Sequence, residues 1–183
     1  MTDPSAADPA PETPPTRAHA AIRDYLAEAE LDWEPGLADG EVVVTLPGEK
    51  KLKTVVSLTV GDVALVARAF VIRNPDENHD RVHRFLLSRN LRQPGVAYAV
   101  DASGDVYVTG RLPLVAVTAD GLDALLGAIL EASDGPFNEL LALGFLSSMR
   151  KEWAWRVDRG ESLRNLEAFR GLLERPGDPP REP

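Results

Sequence analysis

Between residues 41 and 72 the chain reads EVVVTLPGEKKLKTVVSLTVGDVALVARAFVI. Valine, threonine and isoleucine lose side-chain freedom in a helix and pack well on a pleated surface, so these bursts favour strands. They are separated by Pro47-Gly48 and by Gly61-Asp62, both turn pairs. The second separator is so short that its flanking strands can only run antiparallel. Strands are therefore expected at about 41–46, 53–60 and 63–72, forming a three-stranded meander. Such a sheet must bury one face, and the rest of the chain has to supply the cover.

The cover is readable as helices. Thr16 is expected to cap a first helix in which Ile22, Leu26 and Ala29 recur at helical spacing. The following DWEPGLADG is turn chemistry. After the meander, Asn74, Pro75 and Glu77 form a capping-box-like start for a helix over about 76–90. A second hairpin pairs 96–100 with 105–112 around Asp101-Ala102-Ser103-Gly104. Thr118 caps a helix whose apolar face carries Leu122, Leu125, Leu126, Ile129 and Leu130. Further helices are expected from Asp134 to Leu143, from Phe145 to Arg159 with Gly160 as its stop, and along Leu163, Leu166, Phe169 and Leu173. The expected class is α+β: an antiparallel sheet of about five strands in the order α-βββ-α-ββ-α, with a C-terminal helical extension over 145–174. One domain is expected over 16–175. It is flanked by proline-rich disordered tails at 1–15 and 176–183, which cannot bury enough apolar surface to offset the cost of ordering.

Several functions are disfavoured by composition. There is no cysteine, so thiolate metal sites and disulfides are excluded. The net charge of −9 argues against nucleic acid or an anionic membrane surface as partner. No apolar leader or membrane-length apolar run is seen, and a cytoplasmic location is expected. No glycine-rich first turn of a βαβ unit occurs, which disfavours a doubly wound nucleotide fold.

Two stretches hold candidate chemistry. In NHDRVH, His79 and His83 stand four residues apart on a helix, a spacing that suits one metal ion. The third histidine, His19, lies at the start of the first helix. Asp80 is one methylene shorter than the glutamate of zinc proteases. The plainer account is a pair of boundary histidines, and neither a metal nor a catalytic residue is assigned. A metal-dependent enzyme or metal-binding protein using His79 and His83 stands as the alternative. In FLSSMRKEWAWRVDRG, Leu146, Met149, Trp153 and Val157 make a core stripe, whereas Trp155 falls among Ser148, Lys151, Glu152, Asp158 and Arg159. Either the last helix or the Lys151 and Arg159 cations cover that indole, or it anchors a protein contact. Trp155, Lys151, Arg159 and Phe169 are the partner-binding candidates.

Over about 17–174, the runs LPGEKKLKTVVSL, AFVIRNPDENH, GVAYAVDASGDVYVTGRLPL, FNELLALGF and MRKEWAWRVDRGESLRNLEAF resemble the actinobacterial YbjN-domain proteins. The resemblance implies a fold like that of class I type III secretion chaperones. It also implies a small acidic binding domain, often dimeric, without established enzymatic activity or cofactor, in regulators of sensory transduction or stress. The expected function is a non-enzymatic protein-binding or regulatory module that binds protein partners and forms a homodimer.

Overall fold

The computed structural model describes residues 13–176 and residue 178. Of the tails expected at 1–15 and 176–183, residues 1–12, 177 and 179–183 lie outside the described residues. The first helix, α1, runs Pro14–Glu28 and begins earlier than its cap was expected. Thr13, not Thr16, is the cap, and its Oγ1 accepts the Thr16 amide at 3.4 Å. Pro14 and Pro15 thus occupy the first turn, where a missing N–H costs nothing.

Six strands form one antiparallel sheet: β1 (Asp32–Pro35), β2 (Glu41–Pro47), β3 (Lys53–Val60), β4 (Ala64–Ile72), β5 (Val96–Val100) and β6 (Val106–Pro113). Their order across the sheet is β1-β2-β3-β4-β6-β5. The meander and the second hairpin join through β4 and β6, where Arg68 faces Thr109. The added strand, β1, lies in the segment expected to be all turn. It is an exposed four-residue edge whose pairing comes from the β2 backbone, with Trp33 opposite Val44. Edges tolerate proline, so Pro35 is no obstacle there.

Alternation decides the layers. In β2, Val42, Val44 and Leu46 are buried, as are Thr54, Val56 and Leu58 in β3. Opposite them pack α1, through Ile22 and Leu26, and α3 (Ala119–Asp134), through Leu122, Leu125, Leu126 and Ile129. Each such side chain contributes about 1.5–3 kcal/mol when buried. Gly110 allows α3 to approach β6, because a Cβ there would stand 2.6 Å from the Leu125 side chain. Thr118 caps α3 as expected, its Oγ1 accepting the Gly121 amide at 3.2 Å. Helix α2 (His79–Asn90) packs by β5, burying Val82 and Leu86. On the other face Val55, Arg68, Phe70 and Arg111 are exposed.

Among the described residues, three helices follow: α4 (Phe137–Gly144), α5 (Leu146–Arg159) and the short α6 (Arg170–Leu173). A 3-10 segment over Arg164–Phe169 precedes α6. Gly160 ends α5 in the left-handed region at φ 68°. Met149, Trp153, Leu163, Phe169 and Leu173 bury one another in a second apolar cluster, apart from the main core. No helix among the described residues is long and apolar enough to cross a membrane.

Candidate functional site: a groove between sheet and C-terminal arm

Helix α2 starts three residues later than its sequence suggests, and the reason builds one wall of the site. Asn78 adopts a left-handed conformation at φ 58°, and its side chain makes no bond to its own helix. The 73–78 loop serves α5 instead. Glu77 Oε1 accepts the Ser147 amide at 2.6 Å and its Oε2 accepts the Ser147 hydroxyl at 2.8 Å. Asp76 accepts the Ser148 hydroxyl at 2.6 Å and pairs with Arg73. The amides of Asp76 and Glu77 donate to the Gly144 carbonyl, and Asn78 Nδ2 donates to the Leu143 carbonyl at 2.9 Å. One orphan amide of α5, that of Ser147, is thus satisfied by a carboxylate 70 positions earlier, and the acidic pair also suits the positive end of the helix dipole. Hydrogen bonds from Arg73 and Ser148 hold Asp76 well below the usual carboxylate range, at about 2. Bonds from Ser147 lower Glu77 in the same sense.

This latch fixes α5 beside the end of β4 and leaves a groove of about 550 Å³ between them. Phe70, Phe137, Leu141, Phe145, Met149 and Leu166 supply its apolar walls. Lys51 lies within it, with its ammonium 5.5 Å from the Phe70 ring centre and 5.9 Å from that of Phe137. The ammonium donates to the Phe70 carbonyl and reaches Ser133 Oγ at 3.4 Å. Asp134 Oδ1 accepts the Lys50 and Lys51 amides at 2.9 and 2.7 Å, fixing the loop. Burial pulls the Lys51 pKa down, and the nearby Asp134 charge offsets this in part. Arg73 closes the groove on the Phe145 ring, 4.5 Å from its centre.

The partner-binding candidates divide. Trp155 is 43% exposed, and the Arg159 guanidinium stacks over it at 4.8 Å. A shallow depression lined by Lys151, Trp155, Arg156 and Glu161 shares Ser148 and Glu152 with the groove. The two therefore form one surface running from Phe70 along α5 to Trp155. Phe169 is placed otherwise: it is buried in the second cluster, so its ring offers a partner no face. The last helical segment covers Trp153, not Trp155, and Trp153 Nε1 donates to Asp178 at 2.5 Å. The groove residues Lys51, Phe70 and Phe137 were not singled out in the sequence. The cue available was Phe70, a large apolar residue at an outward position of β4.

His79 is exposed and His83 half-buried, with ring centres 6.5 Å apart. No third ligand is brought to them: among the described residues no three His, Cys, Asp or Glu side chains are grouped as a metal site would need. His19 sits against Gly40, on α1.

The fold is a mixed helix and antiparallel-sheet arrangement that resembles the type III secretion chaperone fold. One chain of the ExsC–ExsE complex matches 68% of this chain and 94% of its own length, with a TM-score of 0.51 and 17% identity. The Yersinia pestis type III secretion chaperone SycH, solved with a fragment of YscM2, matches 69% of this chain and 98% of its own, at a TM-score of 0.46 and 16% identity. At these identities the likeness concerns the fold. Residues 18–142 match the YbjN family model, described as "Putative bacterial sensory transduction regulator". The chain belongs to the YbjN family. An uncharacterised protein of Mycobacterium tuberculosis H37Rv is 53% identical over 155 residues, 82% of this chain and 85% of its own. One of Mycobacterium leprae is 48% identical over 162 residues, covering 87% and 86%. Both matches are too long to fit within the family-model segment.

Proposed function

We propose that this protein is a non-catalytic, protein-binding regulatory module that acts in the cytoplasm and self-associates as a homodimer. Its partner is held as an extended segment along the surface from Phe70 to Trp155. The observation that carries this reading is the groove itself, an apolar trough open along one side. Lys51 and Lys151 stand along it, while Arg73 and Arg156 are occupied by Asp76 and Glu152. The chemistry fits a segment with apolar anchors and flanking carboxylates, aromatic and apolar pockets supplying affinity and basic residues register. Phe169 has no part in contact, whereas Trp155, Lys151 and Arg159 do. The family's description supports the regulatory part, in sensory transduction. The ExsC–ExsE structure is itself of a complex, which supports the binding part. No observation favours the alternative of metal chemistry at His79 and His83.

The test is retention of proteins from native extract by the wild-type chain, by Leu166→Glu and by Trp155→Ala. Leu166 is half-buried in the groove wall, so the glutamate enters the trough. The expected result is a partner kept by the wild type, lost by Leu166→Glu and reduced by Trp155→Ala, with unchanged circular dichroism. A partner retained equally by all three places binding elsewhere.

A further inference from the structure

The outward face of the sheet carries its own charge pattern and meets the groove only at Phe70. Residues paired across the strands share a face, so the registers can be read as rows. One row runs Glu41, Thr59, Val66, Arg111 from β2 through β3 and β4 to β6. The next runs Val43, Ser57, Arg68, Thr109. In the third, Thr45 pairs with Val55 and Phe70 with Tyr107; Val55 and Phe70 adjoin because their neighbours Val56 and Ala69 pair. Val55 and Phe70 are 42% and 41% exposed near the middle of this face. Acidic Asp32, Glu34 and Glu41 lie on β1 and β2, and basic Arg68 and Arg111 lie on β4 and β6. Neither arginine makes an ion pair among the described residues.

We infer that a second copy of this chain docks on this face, sheet against sheet, about a two-fold axis that runs along the strands between β3 and β4. This inference rests on the self-association proposed above and names its surface. Such an axis exchanges β3 with β4 and β2 with β6, and keeps each row in place. Val55 of one copy then meets Phe70 of the other, and Glu41 meets Arg111, each pairing occurring twice. A two-fold interface needs one patch to complement itself, and acid on one half with base on the other does so. Face-packed sheets align within about 30°, which keeps the central rows in register. The alternative two-fold axis, across the strands, would set β1 and β2 of the two copies on each other, acid over acid.

The experiment is a charge swap read by sedimentation velocity on the full chain. Arg111→Glu alone places Glu41 over a glutamate, and Glu41→Arg alone places arginine over Arg111. Each variant alone is expected to weaken the dimer about a hundredfold. Mixed one to one, they pair arginine with glutamate at both positions and the dimer returns. Glu41 also accepts the Leu37 and Ala38 amides, so Val55→Lys, which touches no turn, serves as a second probe and should also yield monomer. If the wild type is dimeric but Arg111→Glu and Val55→Lys stay dimeric, this face is not the interface, while self-association stands. If folded single variants fail to pair on mixing, the two-fold arrangement is overturned. A monomeric wild type at high micromolar concentration overturns the inference and the homodimer together.

Discussion

The body of the molecule and its C-terminal arm are held together by different physics. In the body, helices α1 and α3 close one sheet face around a continuous apolar core that reaches from Ala18 to Phe145. In the arm, among the described residues, five buried residues centred on Trp153 form a smaller apolar cluster. The arm meets the body through α4 and through the carboxylates of the 73–78 loop. The body is thus bound mainly by burial, which is indifferent to pH, and the arm in large part by charge-assisted hydrogen bonds. A partner groove walled by both inherits this difference: one wall is held by the main core and the other by the small cluster and the latch.

The contrast can be broken at either end. Trp153→Ala should have the largest local effect, about 3–5 kcal/mol as expected for truncating a buried tryptophan. It should free the arm, read as protease cleavage within α5 and α6, while the sheet keeps its circular dichroism. Leu58→Ala, at a fully buried position of β3, should cost about 2–5 kcal/mol and lower the melting of the whole molecule. If both variants melt the chain alike, the two regions are one cooperative unit.

Acid offers a milder probe. Asp76, Glu77 and Asp178 all have lowered folded-state pKa values, through bonds from Arg73, from Ser147 and from the Arg175 amide with the Trp153 indole. Their contribution is present above the ordinary carboxylate range and is lost as pH falls through the folded values, for Asp76 about 2. Tryptophan fluorescence should therefore shift to the red in the arm before the sheet unfolds as pH drops from about 5 to 2. Asp76→Asn should move that shift to higher pH. The smallest effect on stability is expected from Trp155→Ala, within about 0.5 kcal/mol, because its ring is only stacked by Arg159 at the surface. Its loss should show in partner binding alone.

The meander, both hairpins and the α3 stripe were legible because alternation, turn pairs and helical spacing are local. The limits of legibility were long-range. Asn74, Pro75 and Glu77 do read as a capping box, yet Glu77 caps α5, because only the fold brings Ser147 beside it. Strand β1 escaped notice since four residues with a proline carry no alternation, and β2 supplies the pairing. The anomaly of Trp155 was visible on the helical wheel, and Arg159 does cover it. Phe169 looked like a contact residue but belongs to the apolar cluster around Trp153, where the chain reverses after Gly160. Lys51 could not be identified, because its aromatic partners come from β4 and α4.

Native-state hydrogen exchange on the full chain bears most directly on a fixed body with an openable arm. Amides of Met149–Val157 should exchange through an opening of lower free energy than those of β3, β4 and α3, and the gap should widen as pH falls toward 3. Equal protection in the arm and the sheet, unchanged by acid, would contradict it.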